Sequence, residues 1–130
     1  MNQSNNPNRE PARDRFATDQ RLLDLGAEAQ KLLEEPQSGP TGHRQIALHK
    51  TSNTTLALFA FDAGGHMPQH RAHGTVIIQV LKGRLRVATP DAEHALSAGQ
   101  VLVLAPDVPH DVNADDAAQM LLTVSRLVAT

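Results

Sequence analysis

The sequence contains no cysteine, tyrosine or tryptophan, and three phenylalanines are the only aromatic residues among its 130 positions. Without cysteine the chain can form no disulfide, offer no thiolate to a metal and use no cysteine nucleophile. A chain without disulfides suits a reducing compartment, and we expect the protein in the cytoplasm. So few aromatic rings indicate no surface on which the bases of a nucleic acid would stack.

A basic excess and a long apolar run are also missing. The 12 basic and 14 acidic residues are interspersed and give a net charge of -2, whereas a nucleic-acid-binding domain usually carries a basic face. No segment approaches the roughly 20 apolar residues that cross a bilayer, and the polar N-terminus lacks the apolar centre of a secretory signal. We therefore expect a soluble protein that binds neither nucleic acid nor a membrane.

Changes of pattern divide the chain into three parts. Residues 1–18 are polar and broken by prolines, so they bury too little apolar surface to offset the entropy of ordering, and we expect a disordered tail. Residues 19–36 carry apolar side chains at helical spacing and end at Pro36, which predicts one α-helix. Residues 37–130 are predicted to form a single barrel. The helical stripe consists of Leu22, Leu25, Ala29, Leu32 and Leu33, with Thr18 or Asp19 placed to cap its start.

After a linker at residues 37–42, the apolar pattern becomes extended and stays so. Short strands separated by Gly, Pro, Asn and Asp turns, with no helix between them, predict an antiparallel sandwich or barrel. The expected fold class is therefore all-β with one N-terminal α-helix. The candidate strands are residues 44–49, 54–62, 67–71, 75–81, 84–89, 94–96, 100–104, 110–113 and 119–128.

Two segments that pair a glycine with a histidine resemble the motifs of small single-domain cupins. Gly64, His70 and Gly83 are in register with the first motif, which runs Gly, five residues, His, one residue, His, three or four residues, Glu, six residues, Gly. Gly99 and His110 are in register with the second motif. The resemblance implies an antiparallel double-stranded β-helix, the jelly-roll barrel of the cupin superfamily.

The chain departs from the cupin pattern where that family places metal ligands. The second histidine of the first motif falls on Ala72, and the glutamate falls on Val76. In the second motif, Asp107 stands where the family has glycine, which is tolerable because aspartate enters the left-handed backbone region more readily than most residues. The metal motif is therefore degenerate, although the fold motif is kept.

The remaining motif residues predict a binding pocket. Because residues two apart on a strand face the same side, the barrel mouth should be lined by histidine and small or branched apolar side chains. Such a pocket suits a small, mostly apolar organic molecule with one polar group. No catalytic residue can be assigned from the sequence, and sugar epimerases of this fold, which the resemblance links to a tyrosine acid, are disfavoured. The predicted ligand-binding residues are His70, Ala72, Val76, Ile78 and His110.

A histidine-only metal site is the alternative. His73 could join His70 and His110 if a bulge near Gly74 turned it inward, and His66 could do so if the chain turned tightly before His70. Such a site would suit one divalent ion of Zn, Ni, Mn, Fe or Cu. The protein would then be a metal-dependent cupin enzyme, an oxygenase, lyase or isomerase of a small organic acid. His43, His49 and His94 are expected to face solvent.

A homodimer is expected as well. The resemblance to small cupins implies association through the sheet, and residues 44–49 and 119–128 are predicted as edge strands that need a partner. The helix or the first strand is predicted to cross to the other subunit.

Overall fold

The computed structural model describes residues 19–36 and 39–127, which form one α-helix and nine β-strands. All nine predicted strands are present, with ends that differ by a few residues. The predicted disordered tail, residues 1–18, lies outside the described residues. The elements are α1 (Leu25–Glu34), β1 (His43–Lys50), β2 (Thr54–Phe61), β3 (His66–His70), β4 (Thr75–Lys82), β5 (Arg84–Ala88), β6 (Glu93–Ser97), β7 (Val101–Leu104), β8 (His110–Asn113) and β9 (Ala118–Ser125).

The strands form two antiparallel sheets that face each other across one core. The five-stranded sheet has the order β1-β2-β9-β4-β7, and the four-stranded sheet has the order β3-β8-β5-β6. Alternation on β4 turns Val76, Ile78 and Val80 inward, where they meet Leu85 and Met120 in the main apolar cluster. This arrangement confirms the all-β jelly-roll fold. Within the described residues, no helix is both long and apolar enough to span a membrane.

Helix α1 is shorter than the sequence predicts. It begins at Leu25 rather than near residue 19, because the carboxylate of Asp24 accepts a hydrogen bond from the Ala27 amide at 3.1 Å and caps the first turn. Before the cap, the Arg21 guanidinium donates to the Leu48 carbonyl, so this segment is held against β1. Leu22, predicted in the buried stripe, is instead fully exposed.

The helix covers the outer face of the five-stranded sheet near β1 and β2. Ala29 and Leu32 pack with Leu48, Leu58 and Ala60 in a second apolar cluster. The position of this cluster explains why β2 is buried on both faces. The helix therefore packs on the barrel wall.

The prediction that residues 119–128 form an edge strand is wrong. Strand β9 lies in the middle of its sheet and pairs with both β2 and β4, because its alternating apolar residues supply the core. The edges of the five-stranded sheet are β1 and β7. The homodimer and the crossing of α1 or β1 stay predictions.

Turn glycines and one aspartate take up left-handed backbone angles. Gly64, Gly83 and Gly99 have φ of 83°, 74° and 88°. Asp107 has φ of 66° and is the one non-glycine residue with positive φ in the described part of the chain. The expectation that aspartate can replace the motif glycine at this position is confirmed.

We predict that Gly83→Ala destabilises the protein much more than Gly99→Ala. Both substitutions place alanine at positive φ, which costs about 1 to 2 kcal/mol. At Gly83, however, an added Cβ would also lie 2.3 Å from the Ala117 carbonyl oxygen, whereas at Gly99 it would meet nothing within 4 Å. The free energy of unfolding in urea should fall by about 3 kcal/mol for Gly83→Ala. Equal losses for the two variants would contradict this account.

Candidate functional site

Two histidines face each other across neighbouring strands of the smaller sheet. Strands β3 and β8 are antiparallel, with His70 opposite His110, and the ring centroids lie 4.3 Å apart with the planes inclined at 58°. The pairing shifts register between Met67 and His70, so β3 holds one extra residue there, beside Pro68. This bulge lets both Met67 and His70 turn toward the interior, although their positions differ by an odd number.

Backbone carbonyls set the tautomer of both rings. The Nδ1 of His70 lies 2.9 Å from the Pro68 oxygen, and the Nδ1 of His110 lies 2.9 Å from the Val108 oxygen. A carbonyl oxygen only accepts, so each neutral ring carries its hydrogen on Nδ1 and keeps a lone pair on Nε2. Neither Nε2 has a hydrogen-bond partner among the described residues. Two acceptor atoms are therefore available for a ligand.

Burial keeps His110 neutral. Its side chain is 2% exposed, and this loss of hydration is the main cause that lowers its pKa from the ordinary value. The hydrogen bond to Val108 opposes the shift, the neighbouring His70 ring adds to it, and Asp111 opposes it more weakly. At neutral pH His110 is therefore an uncharged acceptor.

An open cavity of about 460 Å³ lies in front of the two histidines. Its wall is apolar where it borders the core, through Val76, Leu122 and Val124. Its outer part is polar and includes the turn that joins β1 to β2. The lining residues are Lys50, Thr51, Ser52, Thr55, His70, Arg71, Ala72, Val76, His110, Leu122, Val124 and Arg126.

Four of the five predicted ligand-binding residues line this cavity, namely His70, Ala72, Val76 and His110. Ile78 does not. It faces the same side of β4 as Val76 but lies one step further from the mouth, with no exposed surface, inside the main core cluster. The alternation of side chains along β4 predicts that Ile78 faces the interior, as it does. It does not predict how far along the strand the cavity extends.

The other candidate ligands lie away from the pair. The His73 side chain is 88% exposed, and its Nδ1 lies 2.7 Å from the Asp107 carboxylate outside the barrel. The bulge that would have turned His73 inward occurs earlier, inside β3. His66 is opposite Asn113, at the far end of the β3–β8 ladder from His110. The structure therefore brings neither His73 nor His66 to His70 and His110.

Contrary to the expectation that it faces solvent, His43 packs against other side chains. Its ring centroid lies 5.8 Å from that of Phe59 and 5.5 Å from that of Phe61. Its two nitrogens lie within hydrogen-bond distance of the His66 carbonyl and the Gln45 side chain. These contacts give His43 a packing role, which its position at the start of β1 did not reveal.

Sequence reasoning missed the polar part of the cavity. Thr54 is opposite Ser125 in the β2–β9 ladder, so Arg126 lies beside the β1–β2 turn. There it donates to the Thr51 carbonyl at 3.2 Å and to the Thr55 hydroxyl at 2.8 Å. These residues carry no motif and are about 70 positions apart. No signal in the sequence pointed to them, since only strand pairing brings them together.

The donor set at this site does not fit the metal quartet implied by the cupin motif. In the part of the chain that the structure describes, no three side chains of histidine, aspartate or glutamate form a group that could hold a metal. Two imidazoles face each other, and the other two motif positions are the hydrocarbon side chains of Ala72 and Val76. Two imidazole nitrogens are fewer than the three or four protein ligands that hold a transition metal tightly.

Comparison with known protein families shows which family this chain matches. Residues 55–125 match the family of AraC-like ligand-binding domains. The chain belongs to this family. The AraC-like segment includes both facing histidines and the apolar wall of the cavity. Together with the jelly-roll fold and cupin structural neighbours, it makes the protein a small cupin-domain protein. Comparison with curated protein sequences gives no significant match.

Solved structures share the AraC-like domain's fold over most of its length. A conserved protein of unknown function from Streptococcus pyogenes has 23% identity and a TM-score of 0.68, covering 84% of this chain and 90% of that one. A cupin superfamily protein from Desulfitobacterium hafniense has 17% identity and a TM-score of 0.68, covering 87% and 96%. An RmlC-like cupin from Desulfovibrio desulfuricans has 29% identity and a TM-score of 0.62, covering 72% and 92%.

We predict that stability depends on pH through His110. Its pKa is lower in the folded chain than the ordinary 6.5, so the unfolded chain binds more protons in this range and stability falls as pH falls from about 6.5 through the folded value. Urea unfolding of the wild type and of His110→Gln between neutral and mildly acidic pH should show a smaller loss in the variant. A loss as large as that of the wild type would contradict the assignment.

Proposed function

We propose that this protein is a binding module that holds a small, mostly apolar organic molecule at the mouth of its barrel. The observation that supports this most directly is that the Nε2 atoms of His70 and His110, two residues that line a cavity of about 460 Å³, have no hydrogen-bond partner within residues 19–36 and 39–127. A volume of this size lies in the usual range for ligand sites, which combine apolar walls with a few convergent polar groups.

The histidine pair defines what the ligand must offer. The His110 side chain is 2% exposed, and a buried acceptor without a partner costs free energy, of the order of 1 to 3 kcal/mol. A hydroxyl or N–H group on the ligand removes that cost by donating to Nε2. The apolar body of the ligand then replaces water against Val76, Leu122 and Val124. Orientation comes from the histidines, and most of the affinity comes from the apolar wall.

The alternative is a metal-dependent enzyme that acts on a small organic acid through His70, His110 and His73. It requires a third ligand beside the pair. His73 is hydrogen-bonded to Asp107 on the outside of the barrel. The side chains of Ala72 and Val76 have no atom that could bind a metal. We therefore propose that the ligand contacts the histidines directly, and we assign no reaction.

Metal analysis tests the choice between binding module and metal enzyme. Protein purified without a histidine tag should hold well under one equivalent of metal, and added Zn, Ni, Mn or Fe should leave its Tm unchanged, because two imidazoles bind such ions weakly. One tightly bound equivalent that raises Tm, and that is lost in His70→Ala, would replace the proposed function with the enzyme.

A positive control makes a negative metal result informative. The double variant Ala72→His, Val76→Glu restores the two missing donors at the positions where the cupin motif places them. Added metal should raise the Tm of this variant, although its metal-free form is less stable than the wild type because it buries a carboxyl group. Added metal should raise the Tm of the single variant Val76→Glu by less than it raises the Tm of the double variant.

A neutral probe tests whether the cavity binds ligands at all. Methyl para-hydroxybenzoate has an apolar body and one hydroxyl, and NMR titration of the full chain should shift the signals of His70, Val76 and His110. Ala72→Leu should weaken binding by about tenfold or more, since the larger side chain occupies the cavity. Ala98→Leu, in an exposed turn, should bind as the wild type does. Shifts spread over the surface, or equal affinities for both variants, would reject the proposed function.

A further inference from the structure

Three positive side chains surround the mouth of the cavity. Lys50 is the last residue of β1, Arg71 follows directly after β3, and Arg126 follows directly after β9, and all three line the cavity. Among the residues that the structure describes, no aspartate or glutamate lines the cavity. Three strand ends therefore bring three like charges to one opening, which we call the cationic rim (Lys50, Arg71 and Arg126).

Arg126 is held in place without being neutralised. Its Nη2 donates to the Thr51 carbonyl at 3.2 Å and to the Thr55 hydroxyl at 2.8 Å, and its Nε lies 3.5 Å from the Ser52 carbonyl. All three acceptors are uncharged. Thr55 is 4% exposed, so one end of the guanidinium is anchored on a buried group. The positive charge remains available to an anion at the opening.

The other two members of the rim have no partner in the described chain. Neither Lys50 nor Arg71 makes an ion pair or side-chain hydrogen bond among residues 19–36 and 39–127. By contrast, Arg84 and Arg86, on the smaller sheet, are each paired with a carboxylate. Like charges brought together repel each other, so the rim is a place where a bound anion removes an unfavourable interaction as well as adding a favourable one.

Carboxylates near the mouth are engaged elsewhere. Asp107 donates its backbone N–H to the Ala72 carbonyl, but its carboxylate binds His73 outside the barrel. Asp111 is next to His110 in sequence, and its carboxylate accepts from the Asn113 amide at 3.1 Å. Neither aspartate lines the cavity. The charge at the mouth is therefore positive.

The buried and exposed parts of the cavity lining differ in polarity. The buried part includes His110 and the apolar side chains of Val76, Leu122 and Val124, and the half-buried His70 faces His110. In the cationic rim, Lys50 and Arg71 are exposed. We propose that the ligand is a small hydroxy acid, with a hydroxyl that donates to the histidine pair, an apolar body, and an anionic group, carboxylate or phosphate, held by the cationic rim. This proposal rests on the proposed function and adds the chemical class of the ligand. Two of the rim residues, Lys50 and Arg126, lie outside the segment that matches the AraC-like family, so the family match does not imply it.

Four related compounds separate the two polar contacts. Para-hydroxybenzoate has both groups, its methyl ester keeps only the hydroxyl, benzoate keeps only the charge, and methyl benzoate has neither. Affinities come from NMR titration of the full chain at low salt. Para-hydroxybenzoate should bind about tenfold more tightly than its methyl ester and about fivefold more tightly than benzoate. Added salt should weaken the binding of the acids and leave the binding of the esters unchanged.

Matched lysine variants locate the charge effect. Lys50→Gln and Lys82→Gln each remove one exposed lysine at the last position of a strand, but only Lys50 lines the cavity. Lys50→Gln and Arg71→Gln should each reduce the preference for acid over ester by about threefold, with the ester unaffected. Lys82→Gln should keep the wild-type preference.

A fifth compound, para-hydroxyphenyl phosphate, identifies the anionic group of the ligand. If this compound binds more tightly than para-hydroxybenzoate, the anionic group is a phosphate. If this compound binds less tightly, the anionic group is a carboxylate.

The outcomes distinguish this inference from the proposed function. If acid and ester bind equally well at the cavity, or if Lys82→Gln changes the preference as much as Lys50→Gln does, the hydroxy-acid inference is overturned and the binding module stands. If benzoate binds as tightly as para-hydroxybenzoate, the hydroxyl contact is overturned. If none of the compounds shifts the cavity signals, both proposals fail.

Discussion

The pairing of β3 with β8 is the constraint on which the site depends. It holds the His70 and His110 rings 4.3 Å apart, and the carbonyls that orient them belong to the same two segments, at Pro68 and Val108. Because the hydrogen-bonded ladder fixes ring position and tautomer together, both lone pairs are in place before any ligand arrives. A site prepared in this way loses little entropy when it binds.

The replacement of two donor positions by hydrocarbon changes what such a barrel can hold. A cupin motif with its full set of ligands provides a polar centre for an ion. Here Val76 is buried and Ala72 lines the cavity, so the same strand face supplies apolar wall. In the proposed function, the free energy of binding would come mainly from apolar surface removed from water, and the two remaining imidazoles would select the orientation of the ligand. The framework of the barrel is kept while the chemistry of its interior differs.

The mouth shows how one opening can combine distant parts of a chain. Lys50, Arg71 and Arg126 come from the ends of three different strands, and the anchor of Arg126 on Thr55 spans 71 positions. Charge placed at strand ends lies at the rim of a barrel, where it stays hydrated until a ligand arrives. In the proposed complex, the neutral, buried His110 and this exposed charge would contact two different polar groups of one molecule.

The amino-acid sequence by itself determined the architecture, because strand alternation and turn residues act locally. The period-two pattern of β4 and the turn residues were enough to predict the strands and an antiparallel sandwich or barrel. The jelly-roll fold was implied by the cupin resemblance, which rests on Gly64, His70, Gly83, Gly99 and His110. The start of α1 was misjudged because several residues before it could cap a helix, and Asp24 is the one whose carboxylate does so.

Only the tertiary structure decided which residues share the cavity. The bulge in β3, the exclusion of His73 by its contact with Asp107, the depth at which Ile78 leaves the lining, and the meeting of Arg126 with the β1–β2 turn all depend on pairing between distant strands. Such pairings are set by the packing of the whole core. No local pattern of residue types encodes them.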